Sequence, residues 1–507
     1  MIDFTPLVRG RFVKIAGRTD SWSLSSDDLQ KRVLSRLLSG GKNCDYLRGF
    51  RLGEIINSPR IYEDYVSRVP LVEYESLRPF VMRMIRGGRD VLWRGVCRDF
   101  AQSSGTSGGK SKFIPVTRDS LAGNHYRGGE DVVAHYLRMV PESKMFSGKG
   151  FILGGSFSNT LGIAPGKVHI GDLSATLINR INPLVNFVRV PDKRTALMSD
   201  WETKLPALVK AASAENITNI SGVPSWFLTV IRKIMEAQGA AKISDVWPNL
   251  EVFFHGGISF EPYRDEYRKI TDPGKMHFQE TYNASEGFFA VQNDFSDNTM
   301  LLIIDRDVFY EFIPVEGSDR RPRPIWDLQK DEVYEMVISS SNGLWRYRLG
   351  DTVRVCRTSP VKIRVAGRTK CFINAFGEEL MEDNAERAMG IACDICGASI
   401  VNYTAAPLFA SGGRKGRHQW LIEWETPPAD VREFAAVLDR ELRKLNSDYD
   451  AKRSHTIFLD PPEIITASAG LFDRWLKSAG SHKLGGQRKV PRLSNRRDMI
   501  EQLVGMM

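Results

Sequence analysis

The chain has 507 residues, of which 42% are hydrophobic and 26% charged, and its 70 Lys and Arg against 61 Asp and Glu give a formal charge of +9. This composition excludes extended disorder and suits two domains, each with a sizeable core, better than one. The positive balance suits a polyanionic ligand, but the basic residues are spread along the chain with no base-reading motif, so nucleic-acid binding is not expected.

Six cysteines in a chain of this length do not make a disulfide framework, and residues 1–17 lack the continuous apolar core of a signal peptide. No stretch reaches the ~18 consecutive apolar residues of a membrane-spanning helix. The expectation is a soluble protein of the reducing cytoplasm without a membrane partner; its oligomeric state is left open.

The first hundred residues read as helical. Leu29, Val33, Leu34, Leu37 and Leu38 share one helical face between a Ser25-Ser26-Asp27 start signal and a Gly40-Gly41 stop. Leu77, Phe80, Val81, Met84 and Ile85 repeat the pattern before Gly87-Gly88. From Phe151 short apolar runs alternate with helical segments, the signature of a mixed α/β domain. Phe151-Ile152-Leu153 ends in Gly154-Gly155, Ile217 to Ile220 ends in Gly222-Val223-Pro224, and Val252-Phe253-Phe254 ends in His255-Gly256-Gly257. Ligands of open α/β sheets sit outside the carboxyl ends of strands, so these glycine exits mark the expected crevice. Leu205, Leu208, Val209 and Ala212 mark one intervening helix, and Trp226, Phe227, Val230, Ile231 and Ile234 mark another with Ser225 as its cap. A β-rich stretch covers 301–357, and Gly367-Arg368-Thr369-Lys370 opens a final segment able to fold as a separate lid.

Three segments carry chemistry. Ser103-Ser104-Gly105-Thr106-Ser107-Gly108-Gly109-Lys110-Ser111-Lys112 combines glycines, hydroxyls and lysines, so that backbone N–H groups and hydroxyls can approach phosphate oxygens while lysine neutralises their charge. A Walker A loop is disfavoured, because that motif needs glycine where Ser104 stands. Thr281-Tyr282-Asn283-Ala284-Ser285-Glu286 offers an aromatic face for a nucleobase and one carboxylate of the kind Mg²⁺ takes from protein; the competing reading is a strand end with a solvated glutamate. Trp345-Arg346-Tyr347-Arg348-Leu349-Gly350-Asp351 ends in a carboxylate able to accept ribose hydroxyls, or else to pair with Arg346 or Arg348 on a sheet surface. Cys393 and Cys396 form a lone Cys-x-x-Cys, too little for a zinc site, and His255 reads as a satisfied structural histidine.

In that order, Ser-Ser-Gly-Thr-Ser-Gly-Gly, Tyr-x-x-Ser-Glu and Tyr-Arg-x-Gly-Asp resemble the nucleotide motifs of the acyl-adenylate-forming superfamily. Their form is similar to the Gretchen Hagen acyl-acid amido synthetases, the plant auxin- and jasmonate-conjugating enzymes and their bacterial-type relatives. The resemblance takes in Val69-Pro70-Leu71-Val72-Glu73-Tyr74-Glu75, Gly154-Gly155-Ser156, Gly171-Asp172-Leu173-Ser174, Phe309 to Pro314, and Gly485-Gly486-Gln487-Arg488-Lys489-Val490-Pro491-Arg492.

It implies a firefly-luciferase-like α/β fold, with a large N-terminal adenylation domain (1–367) and a small mobile C-terminal α/β lid (368–507). It implies ATP and Mg²⁺ as cofactors, and a small carboxylic acid with an amine or amino acid as partners. Ser103, Ser104, Gly105 and Thr106 would hold phosphates, Thr281, Tyr282, Asn283, Ala284, Ser285 and Glu286 would contact AMP, and Glu286 would bind the Mg²⁺. Gly256 and Gly257 would lie along the adenine, Asp351 would hold the ribose, and Arg368 would sit at the hinge. Lys489 would reach the α-phosphate and the reacting carboxylate, acting in catalysis with Glu286 and Thr106. His125, Tyr126, Val223 and Phe227 would line the acid's pocket, where polar His125 and Arg127 suit an acid bearing a hydroxyl or ring heteroatom.

The implied reaction joins the acid to AMP with release of pyrophosphate, then transfers the acyl group to the amine. An acyl-CoA ligase shares the first step and uses a thiol in the second. A non-catalytic nucleotide-binding protein would need the three motifs but not Lys489.

Overall fold

The computed structural model describes residues 3–103, 112–157, 161–162, 168–258, 260, 263–315, 318–368, 372–409, 415–454, 459–478 and 490–507. They fall into two compact units, 3–103 with 112–368 and 372–507.

The helix expected after Ser25 begins earlier, spanning Trp22–Gly41, and bends at Ser25, whose φ of −145° and ψ of 24° are not helical. Its apolar face buries Val33, Leu34, Leu37 and Leu38, and it stops at the expected glycines. Helix Tyr74–Ile85 buries Leu77, Val81, Met84 and Ile85 in the same way. Helix Pro224–Gln238 starts with its proline directly after Val223. Ser225 is therefore inside the first turn and not its cap, because proline already has the helical φ and no N–H to satisfy.

Strands begin well before Phe151. In chain order they are β1 (Asp99–Ser103), β2 (Lys112–Pro115), β3 (Lys149–Ile152), β4 (His169–Gly171), β5 (Arg189–Val190), β6 (Ile217–Gly222), β7 (Val252–Gly256), β8 (His277–Ala284), β9 (Gly287–Gln292), β10 (Met300–Leu302), β11 (Val308–Pro314), β12 (Arg323–Pro324), β13 (Val333–Ser340), β14 (Leu344–Thr358) and β15 (Val361–Arg368). β2, β1 and β4 form a small sheet. The rest form a twelve-stranded sheet in the order β12-β11-β13-β14-β15-β10-β9-β8-β7-β6-β3-β5. From β5 to β8 its pairings are parallel, and from β8 to β12 they are antiparallel. The change of direction is the β8–β9 hairpin, whose two turn residues are Ser285 and Glu286.

β14 is irregular where it matters. Its pairing with β13 passes from Arg348↔Val337 to Thr352↔Glu335, so two extra residues are taken up around Leu349 to Asp351. Arg346 (φ 44°) and Gly350 (φ 84°) both adopt left-handed backbone. A bulge of this kind twists the strand and re-aims its side chains. Asp351 thus lies within a strand that continues to Thr358, not at a strand end.

Arg346 and Arg348 are both committed elsewhere. Buried Arg346 forms a two-pronged ion pair with Glu311 on β11, at 2.9 and 2.8 Å, and donates to the carbonyls of Val66 and Val69. Arg348 pairs with Glu335 on β13 at 2.7 Å. Pairing of Asp351 with either arginine is thereby replaced. Burial pushes the Glu311 carboxyl above its ordinary pKa, with Arg346 opposing that rise.

In the second unit β16 (Phe372–Ile373) pairs with β17 (Leu380–Met381), while β18 (Ser399–Leu408), β19 (Arg417–Thr426) and β20 (Glu463–Thr466) form a separate sheet. Tyr403, Ala405, Trp420 and Ile422 meet helices Glu382–Cys396 and Val431–Leu445 on one face. Ala406 and Leu421 meet helices Leu471–Ser478 and Asp498–Gly505 on the other. Among the described residues no helix is long and apolar enough to cross a membrane, and no group of three or more His, Cys, Asp or Glu could hold a metal ion.

Removing one partner of a buried ion pair leaves the other charge uncompensated. Glu311→Ala is expected to destabilise the first unit by about 3–5 kcal/mol, whereas Glu311→Leu with Arg346→Met recovers most of that loss; urea unfolding of the three proteins checks both.

Candidate active site

Thr281 to Glu286 run along the carboxyl end of β8 and into its hairpin. On the neighbouring parallel strand, Gly256 stands in register with Thr281, and the Thr281 hydroxyl donates to the His255 carbonyl at 3.1 Å. A Cβ at Gly256 would collide with the Thr281 carbonyl, and Gly257 has φ +83°, so both positions require glycine for the backbone to turn beside β8. Gly257 is exposed, so this end of the crevice opens to solvent.

The second and third segments meet directly. The buried Tyr282 hydroxyl donates to the Asp351 carboxylate at 2.6 Å, although β9, β10 and β15 stand between their strands in the sheet. The sheet curls to bring them together, and the bulge at Gly350 turns Asp351 to the meeting point. Glu286 is 8% exposed, which removes the solvated-glutamate reading, and its backbone carbonyl accepts from the Asn342 side chain at 3.0 Å.

The first segment from 104 to 111 lies outside the described residues, as does Lys489. Its flanks are held side by side, with Ser103 paired to Lys112 in the β1–β2 ladder. The Lys112 ammonium donates to the Tyr347 hydroxyl at 3.2 Å, tying this flank to the third segment. Tyr74 braces the same strand by accepting from the Phe113 N–H at 2.7 Å, and its hydroxyl pKa is pushed up to about 12, mainly by burial, with a smaller contribution from the charge of Glu286. On β15, Arg368 stands opposite Asp351. Sequence reasoning did not single out Tyr74, Lys112, Asn342 or Tyr347 as site residues. Tyr74, Lys112 and Tyr347 lie inside the motif segments, whereas Asn342 reads in sequence only as part of a turn.

The four residues expected around the acid divide in two. Tyr126 donates to the Leu177 carbonyl at 3.0 Å, and Phe227 is fully buried against Phe151 and Phe253. Val223 joins β6 to helix Pro224–Gln238 beside Gly257. His125 closes a π-helical turn, Leu121–His125, a form concentrated at functional sites. Its ring is buried beside the Asn283 side chain, which opposes the effect of burial on the imidazole. His255 departs from the satisfied histidine expected, because its Nδ1 has no partner and its ring stacks on Phe260 at 4.2 Å.

Domain models then match the chain in order: GH3 family N-terminal domain at residues 20–276, GH3 family central domain at 301–368 and GH3 family C-terminal domain at 383–498. The chain belongs to the GH3 family. A relative, the probable indole-3-acetic acid-amido synthetase GH3.1 of Oryza sativa subsp. japonica, is 23% identical across 94% of this chain and 89% of its own. Among solved structures, an AtGH3.15 acyl acid amido synthetase in complex with 2,4-DB superposes with a TM-score of 0.62 at 19% identity, covering 100% of this chain and 97% of that one. A 2-hydroxyisobutyryl-CoA ligase in complex with 2-HIB-AMP and CoA gives a TM-score of 0.57 at 13% identity, covering 95% and 94%. The fold is that of the acyl-adenylate-forming enzymes, and the second and third motifs lie on its large sheet, at β8 and β14.

Burial lowers the pKa of His125 to about 4 and that of His255 to about 3. Both rings therefore stay neutral in the folded protein while an unfolded histidine gains its proton near pH 6.5. Stability is expected to fall as pH drops from about 6.5 toward 4. In NMR spectra the two rings should hold constant imidazole shifts from pH 8 to 5.

Proposed function

We propose that this chain is an ATP-dependent acyl-acid amido synthetase, which converts a carboxylic acid to an acyl-adenylate with release of pyrophosphate and then transfers the acyl group to an amine. The observation that carries this reading is the convergence of motif residues in a GH3 family member: Tyr282 on Asp351 and Lys112 on Tyr347. In this reading, residues distant in sequence would serve one nucleotide site.

A carboxylate resists nucleophilic attack because it is negatively charged and resonance-stabilised. Attack by its oxygen on the α-phosphorus of ATP replaces that poor leaving group with AMP. In this reading Asp351, which accepts a hydrogen bond from Tyr282, would take the ribose hydroxyls, and the flat base would lie along the Gly256–Gly257 turn. Thr106, Ser103 and Ser104 would donate to phosphates, and Lys489 would stabilise the charge growing on the α-phosphate. Such donors typically contribute about 3 kcal/mol each to a transition state.

Glu286 fits a magnesium ion that arrives with the nucleotide: it is a single hard carboxylate at a turn, outside any cluster able to bind a metal by protein alone among the described residues. Bound there, Mg²⁺ would neutralise phosphate charge. In the second step a neutral amine attacks the acyl carbon while water is kept out, a task we assign to movement of residues 368–507. The CoA ligase shares the fold, so the amine acceptor is inferred from family membership.

Incubation with ATP, Mg²⁺, hydroxylamine and a panel of aromatic, indolic and aliphatic acids should yield acid-dependent AMP and hydroxamate; acid-dependent ADP would overturn the reading. Asp351→Asn is expected to raise the KM for ATP about tenfold, since a hydrogen bond to a charged group contributes about 1.5–3 kcal/mol. Lys489→Ala should abolish pyrophosphate exchange while ATP binding, followed by calorimetry, persists; unchanged turnover would remove Lys489 from the mechanism.

A further inference from the structure

The parallel half of the sheet contains a reversal of strand order. The chain leaves β3 toward β5 on one side, whereas β6, on the other side of β3, leads on to β7. Crevices outside the carboxyl ends of strands at such a reversal are where ligands of α/β sheets bind. Gly154 lies two residues beyond the end of β3, and Lys204 reaches it from the first turn of helix Trp201–Ser213. Its Nζ donates to the Gly154 carbonyl at 2.8 Å, and the residue is only 4% exposed.

This ammonium is unusual in its company. It carries three donors, yet Gly154 is its one hydrogen-bond partner among the described residues, and none of their carboxylates forms an ion pair with it. Asp172, the acidic group whose charge favours it, spends its carboxylate on the Ser156 N–H at 2.8 Å. The ring of Trp201 stands 5.6 Å from Nζ. Lysines normally extend their heads to water, and burying one without an anion is costly enough to lower the pKa of Lys204 to about 8. A neutral amide side chain could hold the Gly154 carbonyl without that cost, so the charge itself calls for an anionic ligand.

We propose that Lys204 binds the carboxylate of an amino-acid acceptor in the amide-forming step. This rests on the amido synthetase reading above. Two strands, β6 and β7, separate β3 from β8, so the Gly154 exit is about 14 Å from the nucleotide motif on β8, three spacings of ~4.8 Å. That places Lys204 away from the phosphates but within the span of an acyl-adenylate and its attacking amine. The acid's own carboxylate is consumed when the adenylate forms, so the anions of the second step are the adenylate phosphate, at the nucleotide motifs, and the acceptor's carboxylate. Anchoring that charged end leaves the neutral amine free to attack the acyl carbon, with AMP departing as the C–N bond forms and the amine proton passing to solvent. A second carboxylate on the acid would offer the same chemistry from a different source.

The test uses the full-length protein with an acid that supports AMP release, and compares the twenty free amino acids, the same amino acids as carboxamides, and hydroxylamine. The unmutated protein should favour free amino acids over their carboxamides by at least about tenfold in kcat/KM. In Lys204→Met the ratio of amino-acid conjugation to hydroxamate formation should fall by about 10–100-fold, mostly through KM, as expected for a lost charged hydrogen bond, and Lys204→Arg should regain part of it. Equal use of amino acids and carboxamides by the unmutated protein overturns the proposal even if Lys204→Met fails to fold. An unchanged ratio in Lys204→Met also overturns it, and equal losses with every acceptor would move the anion to the acid. Absence of AMP with every acid and acceptor instead overturns the amido synthetase reading.

Discussion

The hydrogen bond between Tyr282 and Asp351 spans 69 positions of sequence and three intervening strands, and the first unit is shaped so that it can form. A flat sheet would hold these side chains several strand spacings apart. Curvature closes most of that separation, and the β14 bulge, with left-handed Arg346 and Gly350 on either side of Tyr347, turns Asp351 to complete it. The bulge is held by the buried Glu311–Arg346 pair, which fixes the strand immediately before the residues that must face the crevice. Stability of the pair and position of the Asp351 carboxylate are therefore aspects of one strand's geometry.

Buried charge has two different uses in this unit. Arg346 is saturated by Glu311 and two backbone carbonyls, the arrangement expected of a group that supports architecture. Lys204 is equally buried but has only the Gly154 carbonyl as a hydrogen-bond partner. The neutral ring of His255 adds a buried Nδ1 without a partner among the described residues, at the end of β7.

The parallel and antiparallel halves of the large sheet divide the work. The parallel half supplies strand exits that open into a crevice, and the antiparallel half carries a long strand that can be bulged without disturbing a crossover helix. The β8–β9 hairpin joins the halves and holds the Ser-Glu pair of the second motif. A fold shared with a CoA ligase accommodates either acceptor, and the chemistry of the second step is therefore a property of particular side chains on this scaffold and not of the scaffold itself.

The amino-acid sequence by itself determined the mixed α/β class, the apolar helix faces, the glycine exits and the three motif segments with their family resemblance. These are local signals: periodicity, turn chemistry and residue type act over a few neighbouring positions. It misplaced the starts of two helices, at Ser25 and Ser225, because a bend and a proline at the first helical position each override the nearest capping signal. Lys204 read in sequence as a position on an amphipathic helix with nothing to distinguish it from a solvated lysine. Only the tertiary structure decided that it turns inward at a strand reversal, that Tyr282 meets Asp351, and that Arg346 is consumed by Glu311. Each depends on which strands become neighbours, and pairings across tens or hundreds of residues are set by the packing of the whole sheet, which no short stretch of sequence encodes.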